Sequence, residues 1–337
     1  MNIVHVIVSL NSDQGGPPRV VLGLVKAQTK LRHKVSTVTL GQSLSPILKA
    51  DVVHLHGVWE PLLYKASRLA LKHNIPYLVT PHGMLNVQHS LSQKRYIKKF
   101  LLATYIKKIL NQAQAIHLLN QAEKRSVAPL NLSSKISIIP NAVNLSLKKL
   151  TKSPQLPNRP YFIFLGRLFH KKGTSLLIQA FSQFKQLAPL SGHHLVVAGP
   201  NAGALKDMKN QVSKLGLTSV IHFTGLLDDQ TKLQALAHST AFILPSHQEG
   251  FSIAVLEALS VSTPVIISKQ TNFPEVKTSN SGLVLSLKST LFAQAMNKLA
   301  SRPSYAKKLG QNGRQLVVKH YTWEKVAKQM ISLYKTL

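Results

Sequence analysis

Residues 241–259 have the sequence AFILPSHQEGFSIAVLEAL, and their pattern indicates the fold class. The short apolar run Ala241–Leu244 predicts a buried strand, and the apolar residues of Ile253–Ser260 recur with helical spacing. A buried strand that leads through a short loop into a helix is the repeating unit of a parallel α/β sheet. In such a sheet the loop lies at the carboxyl end of the strand, where ligands bind.

Strand and helix patterns of the same kind alternate on both sides of this stretch. The first strand pattern, Ile3–Leu10, has no basic residue before it, so it predicts a buried strand and not a secretory signal. The alternation stops at residues 151–160, TKSPQLPNRP, which have the composition of a linker. We therefore expect an α/β protein with two doubly wound, parallel-sheet (Rossmann-like) domains, residues 1–152 and 153–320, followed by a helix within residues 321–337.

The composition limits the function classes. Of the 337 residues, 44% are hydrophobic, which is enough for packed cores, and no apolar run approaches the roughly 18 residues of a spanning helix. The absence of cysteine excludes disulfides, thiolate zinc sites and cysteine nucleophiles. Lys and Arg total 42 against 11 Asp and Glu, and the formal net charge of +31 favours anionic partners. Without an export signal, a cytoplasmic protein is expected.

A cationic loop follows the predicted strand Tyr161–Leu165. Residues 166–173, GRLFHKKG, place Arg167 and Lys172 between this strand and the next helix. A guanidinium binds phosphate oxygens in a fork, and an ammonium adds a point charge. Two unit charges about 4 Å apart at a dielectric near 20 interact by about 4 kcal/mol, so the two cations could offset much of the charge of a leaving diphosphate. The alternative is that a chain this basic carries cations on any loop.

Two carboxylates belong to the opening stretch. Glu249 ends the strand segment, and Glu257 lies about two turns into the helix. A carboxylate accepts hydrogen bonds from the hydroxyls of a ribose or hexose. After Gly250, the amides of Phe251–Ile253 are expected as donors at the helix start. The alternative is one acid that favours the helix dipole and one solvated acid, but acids are rare in this chain.

A glycine pair follows the first predicted strand. Residues 15–19 are GGPPR, and Gly15 and Gly16 would let the backbone approach a ligand at the start of a helix. The motif is not GxGxxG, so a dinucleotide site is not indicated. An ordinary turn between strand and helix is the alternative.

The sequence predicts no metal site. Asp228–Asp229 is interpreted as an acidic pair at a helix N-terminus, and no His and carboxylate cluster has ligand spacing. Cations of the protein can take the place of a metal at a leaving group. His54 and His56 are expected to be structural.

A basic segment lies within a predicted helix, Gln93–Asn111. Residues 94–108, KRYIKKFLLATYIKK, contain no acid and have an apolar side. Its cations are Lys94, Arg95, Lys98, Lys99, Lys107 and Lys108. This pattern is typical of a helix that lies on an anionic membrane surface. A solvated cationic face is the alternative, and nucleic acid is disfavoured because no nucleic-acid motif is present.

Taken together, the motifs resemble those of GT-B glycosyltransferases of the retaining family 4 type. The acids in EGF…LEA match that family's acidic pair, and GRLFHKKG matches its Arg/Lys phosphate loop. Four shorter segments fit in family order: HLHGVW (54–59), PHGM (81–84), IPNAVN (139–144) and FTG (223–225). The resemblance extends from residue 15 to the last helix, and it implies two domains that face each other across a cleft.

The resemblance also implies roles for residues of the second domain. Arg167 and Lys172 would neutralise the donor diphosphate, and Glu257 would hold the ribose. Glu249 would hydrogen-bond the hydroxyls of the donor sugar, with the backbone of Phe251–Ile253 nearby.

In the first domain, Gly16 would approach the phosphates or the sugar, and His82 would contact the sugar near the anomeric centre. The last helix would cross back to the first domain. The implied donor-binding residues are Gly15, Gly16, Arg167, Lys172, Gly225, Glu249, Gly250, Phe251, Ser252, Ile253 and Glu257. The implied catalytic residues are His82, Arg167, Lys172 and Glu249.

The chain departs from the family pattern at a few positions. Ala142 and Phe273 stand where members usually have glycine, and Asn144 stands where many have Asp. These changes concern the identity of the donor sugar more than the diphosphate site.

The resemblance implies a hexosyltransferase that uses a nucleotide-diphosphate sugar and retains the anomeric configuration, and the residues predict that it needs neither metal nor cofactor. Its acceptor would be a glycan or a lipid-linked glycan of an exopolysaccharide or lipopolysaccharide-like polymer, reached from the inner face of the cell membrane. Two other functions stay open. A sugar-nucleotide epimerase could use the same fold, and a basic nucleic-acid-binding protein would bind duplex DNA in a salt-sensitive way.

Overall fold

The structure, a computed structural model, describes residues 1–11, 16–85, 101–145 and 150–337. The chain forms two compact units: unit 1 is Met1–Ala142 with Tyr321–Leu337, and unit 2 is Val143–His320. Unit 1 thus ends before residue 152, the predicted boundary. Leu150 precedes the proline-rich segment and already belongs to unit 2, where its carbonyl oxygen accepts from Nε2 of His238 at 2.9 Å.

Unit 1 is built on a six-stranded parallel sheet with the strand order β2-β1-β3-β4-β5-β6. Its elements are β1 (Asn2–Val6), α1 (Gly16–Lys30), β2 (Lys34–Val38), β3 (Val52–His56), α2 (Pro61–Lys72), β4 (Tyr77–Thr80), α3 (Lys107–Gln112), β5 (Ala115–Leu118), α4 (Gln121–Val127) and β6 (Lys135–Ile138). A π-helical turn, Leu102–Ile106, leads into α3.

Unit 2 has a second six-stranded parallel sheet with the order β12-β11-β10-β7-β8-β9. Its elements are β7 (Tyr161–Leu165), α5 (Thr174–Leu187), β8 (His194–Ala198), α6 (Leu205–Lys214), β9 (Ile221–Gly225), α7 (Asp229–Ala237), β10 (Ala241–Leu244), α8 (Ile253–Ser260), β11 (Val265–Ser268), α9 (Glu275–Thr278), β12 (Gly282–Leu285), α10 (Ser289–Ser301) and α11 (Pro303–His320).

In a parallel sheet, helices cover both faces. The strands are therefore continuous apolar runs, because neither face alternates with polar residues. All residues of β7 (YFIFL) and β10 (AFIL) are buried. β3 is also buried throughout, although its sequence VVHLH includes two histidines. The prediction of two doubly wound parallel-sheet domains is therefore confirmed.

The last helix, α12 (Trp323–Tyr334), packs in unit 1. The indole ring of Trp323, the first residue of α12, lies against Gly23 of α1. A Cβ atom at Gly23 would overlap this ring. At its other end, Tyr334 is buried and reaches the histidines of β3. A glycine at position 23 thus allows α1 and α12 to approach closely.

Several predictions fall on parts of the chain that the structure leaves undescribed. Gly15, Lys94, Arg95, Lys98 and Lys99 lie outside the described residues. Of the predicted helix Gln93–Asn111, the described part is helical from residue 101 and ends at Gln112. Among the helices of the described residues, none contains an apolar segment of the length that a membrane span requires.

Candidate functional site

The candidate site of unit 2 lies where the strand order reverses. β7 and β10 are neighbours in the sheet, with Ala241 opposite Phe162. From β7 the chain continues outward through β8 and β9, and from β10 it continues in the opposite direction through β11 and β12. The chain therefore leaves β7 and β10 in opposite directions, and the carboxyl end of these two strands is the usual position of the ligand crevice in such folds.

The loop after β7 lies against the loop after β10. It contains a short 3₁₀ turn, His170–Lys172, and ends at Gly173, whose φ is +71°. A Cβ atom at Gly173 would overlap the carbonyl oxygen of Pro245, so this position requires glycine. The carbonyl oxygen of Lys171 accepts from the amide of His247 at 2.8 Å and from Oγ of Ser246 at 3.1 Å.

Lys172 and Glu249 form an ion pair across these two loops. The ammonium of Lys172 lies 2.7 Å from Oε1 and 2.9 Å from Oε2 of Glu249. The side chain of Glu249 is only 8% exposed and that of Lys172 is 25% exposed. The backbone of Glu249 is fixed as well, since its amide donates to Gln270 and its carbonyl oxygen accepts from Nδ2 of Asn272. Two residues singled out separately in the sequence thus form one charged unit.

Arg167 differs from Lys172 because its side chain is exposed. It follows Gly166 directly at the end of β7, at the same edge of the sheet as the ion pair. An exposed guanidinium in this position can bind an anion from solvent in a fork of hydrogen bonds.

The helix α8 begins at Ile253, two residues after Phe251. Ser252 is its N-cap, and its Oγ accepts from the amide of Val255 at 3.4 Å. Of the three expected amide donors, Ile253 therefore belongs to the helix, whereas Phe251 precedes it. The ring of Phe251 contacts Phe273, with the centroids 5.4 Å apart. An N-terminus at this crevice offers amides to an oxygen ligand.

Glu257 has a partner that the sequence analysis missed. Nζ of Lys232, a nearly buried residue of α7, lies 2.6 Å from Oε1 of Glu257 and 2.9 Å from Oδ1 of Asp229. The three-residue spacing of Asp229 and Lys232 on one helix was the available signal for the contact between these two residues.

The prediction of an acidic pair at a helix N-terminus is confirmed for Asp228, which caps α7 by accepting from the amides of Gln230 and Thr231. The pKa of Asp228 is lowered, and the hydrogen bond from the Thr231 hydroxyl is the largest cause of this shift.

The remaining donor candidate of unit 2 lies on a neighbouring strand. Gly225 is the exposed last residue of β9, with φ of +70°. Its carbonyl oxygen accepts from the amide of Gly199 at 2.7 Å, next to a bulge between Val197 and Ala198. It therefore lies at the carboxyl edge of the sheet, two strands away from β7.

In unit 1, His82 follows β4 with a left-handed backbone, φ +53°. Next to it, the amide of Gly83 donates to Oε1 of Glu123 at 2.6 Å, and the amide of Leu119 donates to Oε2 at 2.7 Å. Burial raises the pKa of Glu123, against these two bonds. Gly16 is the first residue of α1. His82 and Gly16 belong to unit 1, and the other described donor candidates belong to unit 2.

A cluster of buried histidines lies in the same unit. In the sheet register His5 of β1 pairs with His54 of β3, and His56 follows two residues later on the same face. Among the described residues, these three form the one group whose ligand atoms, all within 4.8 Å of one another, could hold a metal ion. Every ring nitrogen of the three already lies within 3.0 Å of another side chain. A metal ion would have to displace those hydrogen bonds.

Two glycosyltransferase family models match adjoining parts of the chain. Residues 148–316 match the family model described as glycosyl transferases group 1, and residues 44–147 match the model of glycosyltransferase family 4. A phosphatidyl-myo-inositol mannosyltransferase of Mycobacterium leprae is 27% identical over 85% of this chain and 74% of its own. An alpha-maltose-1-phosphate synthase of Mycobacterium tuberculosis is 28% identical over 53% of this chain and 48% of its own, so the match spans about half of that relative.

Solved structures show the same fold. The Anabaena protein HepE in complex with UDP superposes with a TM-score of 0.82 over all of both chains, at 16% identity. This likeness extends over both units and agrees with the GT-B architecture expected from the sequence.

Proposed function

The chain belongs to the glycosyl transferases group 1 family, and on that premise we propose that it moves a hexosyl group from a nucleotide-diphosphate sugar to an acceptor hydroxyl with retention of configuration. The observation that carries the proposal is the pair of loops after β7 and β10, which join Lys172 to Glu249 at the point where the strand order reverses. A cation for the diphosphate and a carboxylate for the sugar thus lie side by side.

We assign the donor contacts as follows. Arg167 and Lys172 stabilise the diphosphate as it leaves, which requires no metal ion. Glu249 accepts hydrogen bonds from sugar hydroxyls, and Glu257 accepts them from the ribose. The amide of Ile253 supplies a donor at the start of α8. His82 of unit 1 contacts the sugar.

The proposed reaction needs no protein nucleophile. The carboxylate of Glu249 is already held by Lys172, which favours a binding role over attack on the anomeric carbon. The departing phosphate instead takes the proton of the acceptor hydroxyl on the face that it leaves. The bond from the anomeric carbon to the phosphate oxygen breaks, and the bond to the acceptor oxygen forms on that same face.

The donor and acceptor classes rest on relatives. HepE is solved in complex with UDP, and one relative is named phosphatidyl-myo-inositol mannosyltransferase. We propose a nucleotide-diphosphate hexose as donor and a lipid-linked glycan as acceptor, in assembly of an exopolysaccharide or a lipopolysaccharide-like polymer.

We also propose that the enzyme works at an anionic membrane surface from the cytoplasmic side. Lys107 and Lys108 of α3 are exposed, whereas Ile109 and Leu110 of the same helix are buried, so this helix presents its cations outward. Each cation near an anionic surface contributes about 1 kcal/mol. Flotation with anionic vesicles tests this: changing Lys98, Lys99, Lys107 and Lys108 to Gln should abolish binding, and unchanged flotation would refute it.

A donor screen tests the proposed reaction. The protein is incubated with a panel of UDP-, GDP- and ADP-hexoses, with and without a lipid-linked glycan acceptor, and products are identified by mass spectrometry. Transfer predicts release of a nucleoside diphosphate together with a glycan larger by one hexose, and survival of activity in EDTA. An altered nucleotide sugar formed without acceptor would indicate an epimerase, and loss of activity in EDTA that Mn²⁺ or Mg²⁺ restores would overturn the metal-independent account.

A further inference from the structure

A continuous series of hydrogen bonds runs through the interior of unit 1 and begins at a backbone carbonyl. Nε2 of His117 lies 2.7 Å from the carbonyl oxygen of Ile139. A carbonyl oxygen only accepts, so Nε2 of His117 carries a proton and donates it. If the ring is neutral, its Nδ1 must accept, and the atom that faces it at 2.7 Å is Oγ1 of Thr80.

This start fixes the direction of the next bonds. Because Thr80 has one hydroxyl proton and donates it to His117, its oxygen must accept from Nε2 of His54 at 2.6 Å. Nδ1 of His54 then accepts from the hydroxyl of Tyr334 at 2.7 Å. Tyr334 of the last helix, α12, therefore donates a hydrogen bond to a strand of the sheet.

The series continues through Gln28 towards His82. The only proton of the Tyr334 hydroxyl points to His54, so the Tyr334 oxygen accepts a hydrogen bond from Nε2 of Gln28 at 3.2 Å. Oε1 of Gln28 then faces Nε2 of His5 and accepts from it at 2.8 Å. Nδ1 of His5 accepts from Nε2 of His56 at 2.8 Å. Nδ1 of His56 in turn accepts from Nε2 of His82 at 3.0 Å.

These hydrogen-bond directions hold for neutral imidazoles, and burial keeps the rings neutral. Burial lowers the pKa of His5 and of His117 to about 4, and that of His82 to about 3. Burial, followed by the neighbouring histidines, holds the pKa values of His54 and His56 well below the ordinary value. At neutral pH each ring thus carries one proton, and every donor in the series has one acceptor.

We propose that this series, which we call the histidine relay, fixes His82 as the tautomer with its proton on Nε2 and leaves Nδ1 as a hydrogen-bond acceptor for a sugar hydroxyl. Among the residues that the structure describes, the hydrogen bond of the His82 ring is the one between Nε2 and His56, which leaves Nδ1 for a ligand. The identity of the sugar rests on the proposed function, whereas the tautomer follows from the relay alone. Tyr334 and Thr80 are positioning residues, since they act on His82 only through the other members.

The relay makes one prediction for all of its histidines. Each of them donates through Nε2, so all five should appear as the neutral tautomer protonated at Nε2. Long-range proton–nitrogen correlation spectra of the full-length protein, labelled with ¹⁵N in its histidines, report this state directly at pH 7.5. Signals are assigned by single histidine substitutions. A His82 ring protonated at Nδ1, or a mixture of tautomers in the wild type, would overturn the proposal.

Tyr334→Phe tests the role of the last helix. Without the hydroxyl, Nε2 of Gln28 loses its acceptor, and the side-chain amide can rotate so that Nε2 faces His5 in place of Oε1. The directions of the following bonds would then reverse, so the His82 signal should move towards a mixture of tautomers. Tyr77→Phe is the matched control, because its hydroxyl is likewise buried in unit 1 and donates to the Ile109 carbonyl oxygen at 2.7 Å, outside the relay. It should leave the His82 signal unchanged. Equal effects of the two substitutions, or none from Tyr334→Phe, would overturn the assignment.

Kinetics separate this proposal from the proposed function. With an accepted donor, Tyr334→Phe should lower kcat about threefold to tenfold, as expected for one misdirected neutral hydrogen bond, and Tyr77→Phe should stay within about twofold. If no donor is consumed at all, the proposed function fails, but the wild-type spectrum still decides the relay. If Tyr334→Phe does not fold, the same spectrum decides.

A metal ion is the competing explanation of the histidines. The purified protein is analysed for zinc, and spectra are recorded before and after EDTA and after addition of zinc chloride. Unchanged signals for His5, His54 and His56 support the relay. A stoichiometric zinc ion that EDTA removes, with loss of the Nε2–H signals on metal binding, would overturn it.

Discussion

The ammonium of Lys172 lies within 2.9 Å of both carboxylate oxygens of Glu249, and this pair joins the loop after β7 to the loop after β10. The carboxylate is almost fully buried, so it depends on the ammonium for compensation of its charge. The two residues consequently behave as one element of the site.

Substitution of this pair should therefore be non-additive. Lys172→Met leaves a nearly buried carboxylate without its cation, and adding Glu249→Gln removes that penalty, so the double-mutant cycle should give a coupling of about 1–3 kcal/mol in the free energy of unfolding. Urea denaturation of the four proteins measures it. The exposed pair Glu324 and Lys328, 2.6 Å apart, is the control and should couple much less because both side chains are solvated. Equal couplings would contradict the account.

Glu257→Gln should weaken binding of the nucleotide sugar about 10–100-fold. A hydrogen bond to a charged group contributes about 1.5–3 kcal/mol, and the substitution keeps the shape of the side chain. Calorimetric titration measures the change. Asp229→Asn is the matched control, since it removes the other carboxylate that contacts Lys232 but is 80% exposed, and it should change the affinity less than twofold. If both substitutions weaken binding equally, Glu257 acts only through Lys232.

Gly23→Ala should destabilise the protein. The added methyl group would overlap the Trp323 ring, and overpacking of this kind costs about 1–3 kcal/mol. Ala gains about 1 kcal/mol over Gly in helix propensity, so a net loss appears only if the contact between α1 and α12 is tight. Urea midpoints measure it against Gly192→Ala, where the new Cβ meets nothing within 4 Å. A more stable Gly23→Ala protein would show that α12 does not pack as described.

Stability should fall as the pH is lowered from about 6.5 towards 4. Above pH 6.5 the relay histidines are neutral in both the folded and the unfolded protein. Within it the unfolded chain takes up protons, while His5 and His117, with pKa values of about 4, stay unprotonated in the folded protein. Each such group contributes a slope of up to about 1.4 kcal/mol per pH unit, which the raised pKa of Glu123 opposes in part. Urea midpoints at pH 7.5, 6 and 5 measure this, and a constant or rising midpoint towards pH 5 would contradict it.

The sequence predicts the sheets well because their strands are continuous apolar runs. β7 and β10 have the predicted bounds, Tyr161–Leu165 and Ala241–Leu244. The prediction for β1 is longer than the strand, which ends at Val6, because apolar residues continue after the chain has left the ladder. Hydrophobicity marks burial and does not distinguish a strand from a buried loop.

The partners within the candidate site were less predictable. Lys172 and Glu249 were each singled out, but their contact depends on β7 and β10 being neighbours, which local patterns do not encode. Likewise, no local signal links Tyr334 to His54, residues that meet only because α12 returns to unit 1. The two-residue spacing of His54 and His56 does place both rings on one face of β3, and this was the available sign of a histidine cluster.

The role of Arg167 at the leaving diphosphate is tested by the initial rate of nucleoside diphosphate release, with the nucleotide sugar that the donor screen selects. The rate is compared for wild type, Arg167→Ala and Lys171→Ala. Both substitutions remove one exposed cation from the same loop. If Arg167 stabilises the leaving diphosphate, its loss should lower turnover by about 10²–10³, whereas Lys171→Ala should stay within about twofold. A rate for Arg167→Ala above half that of wild type, or an equal loss in both variants, would contradict the account.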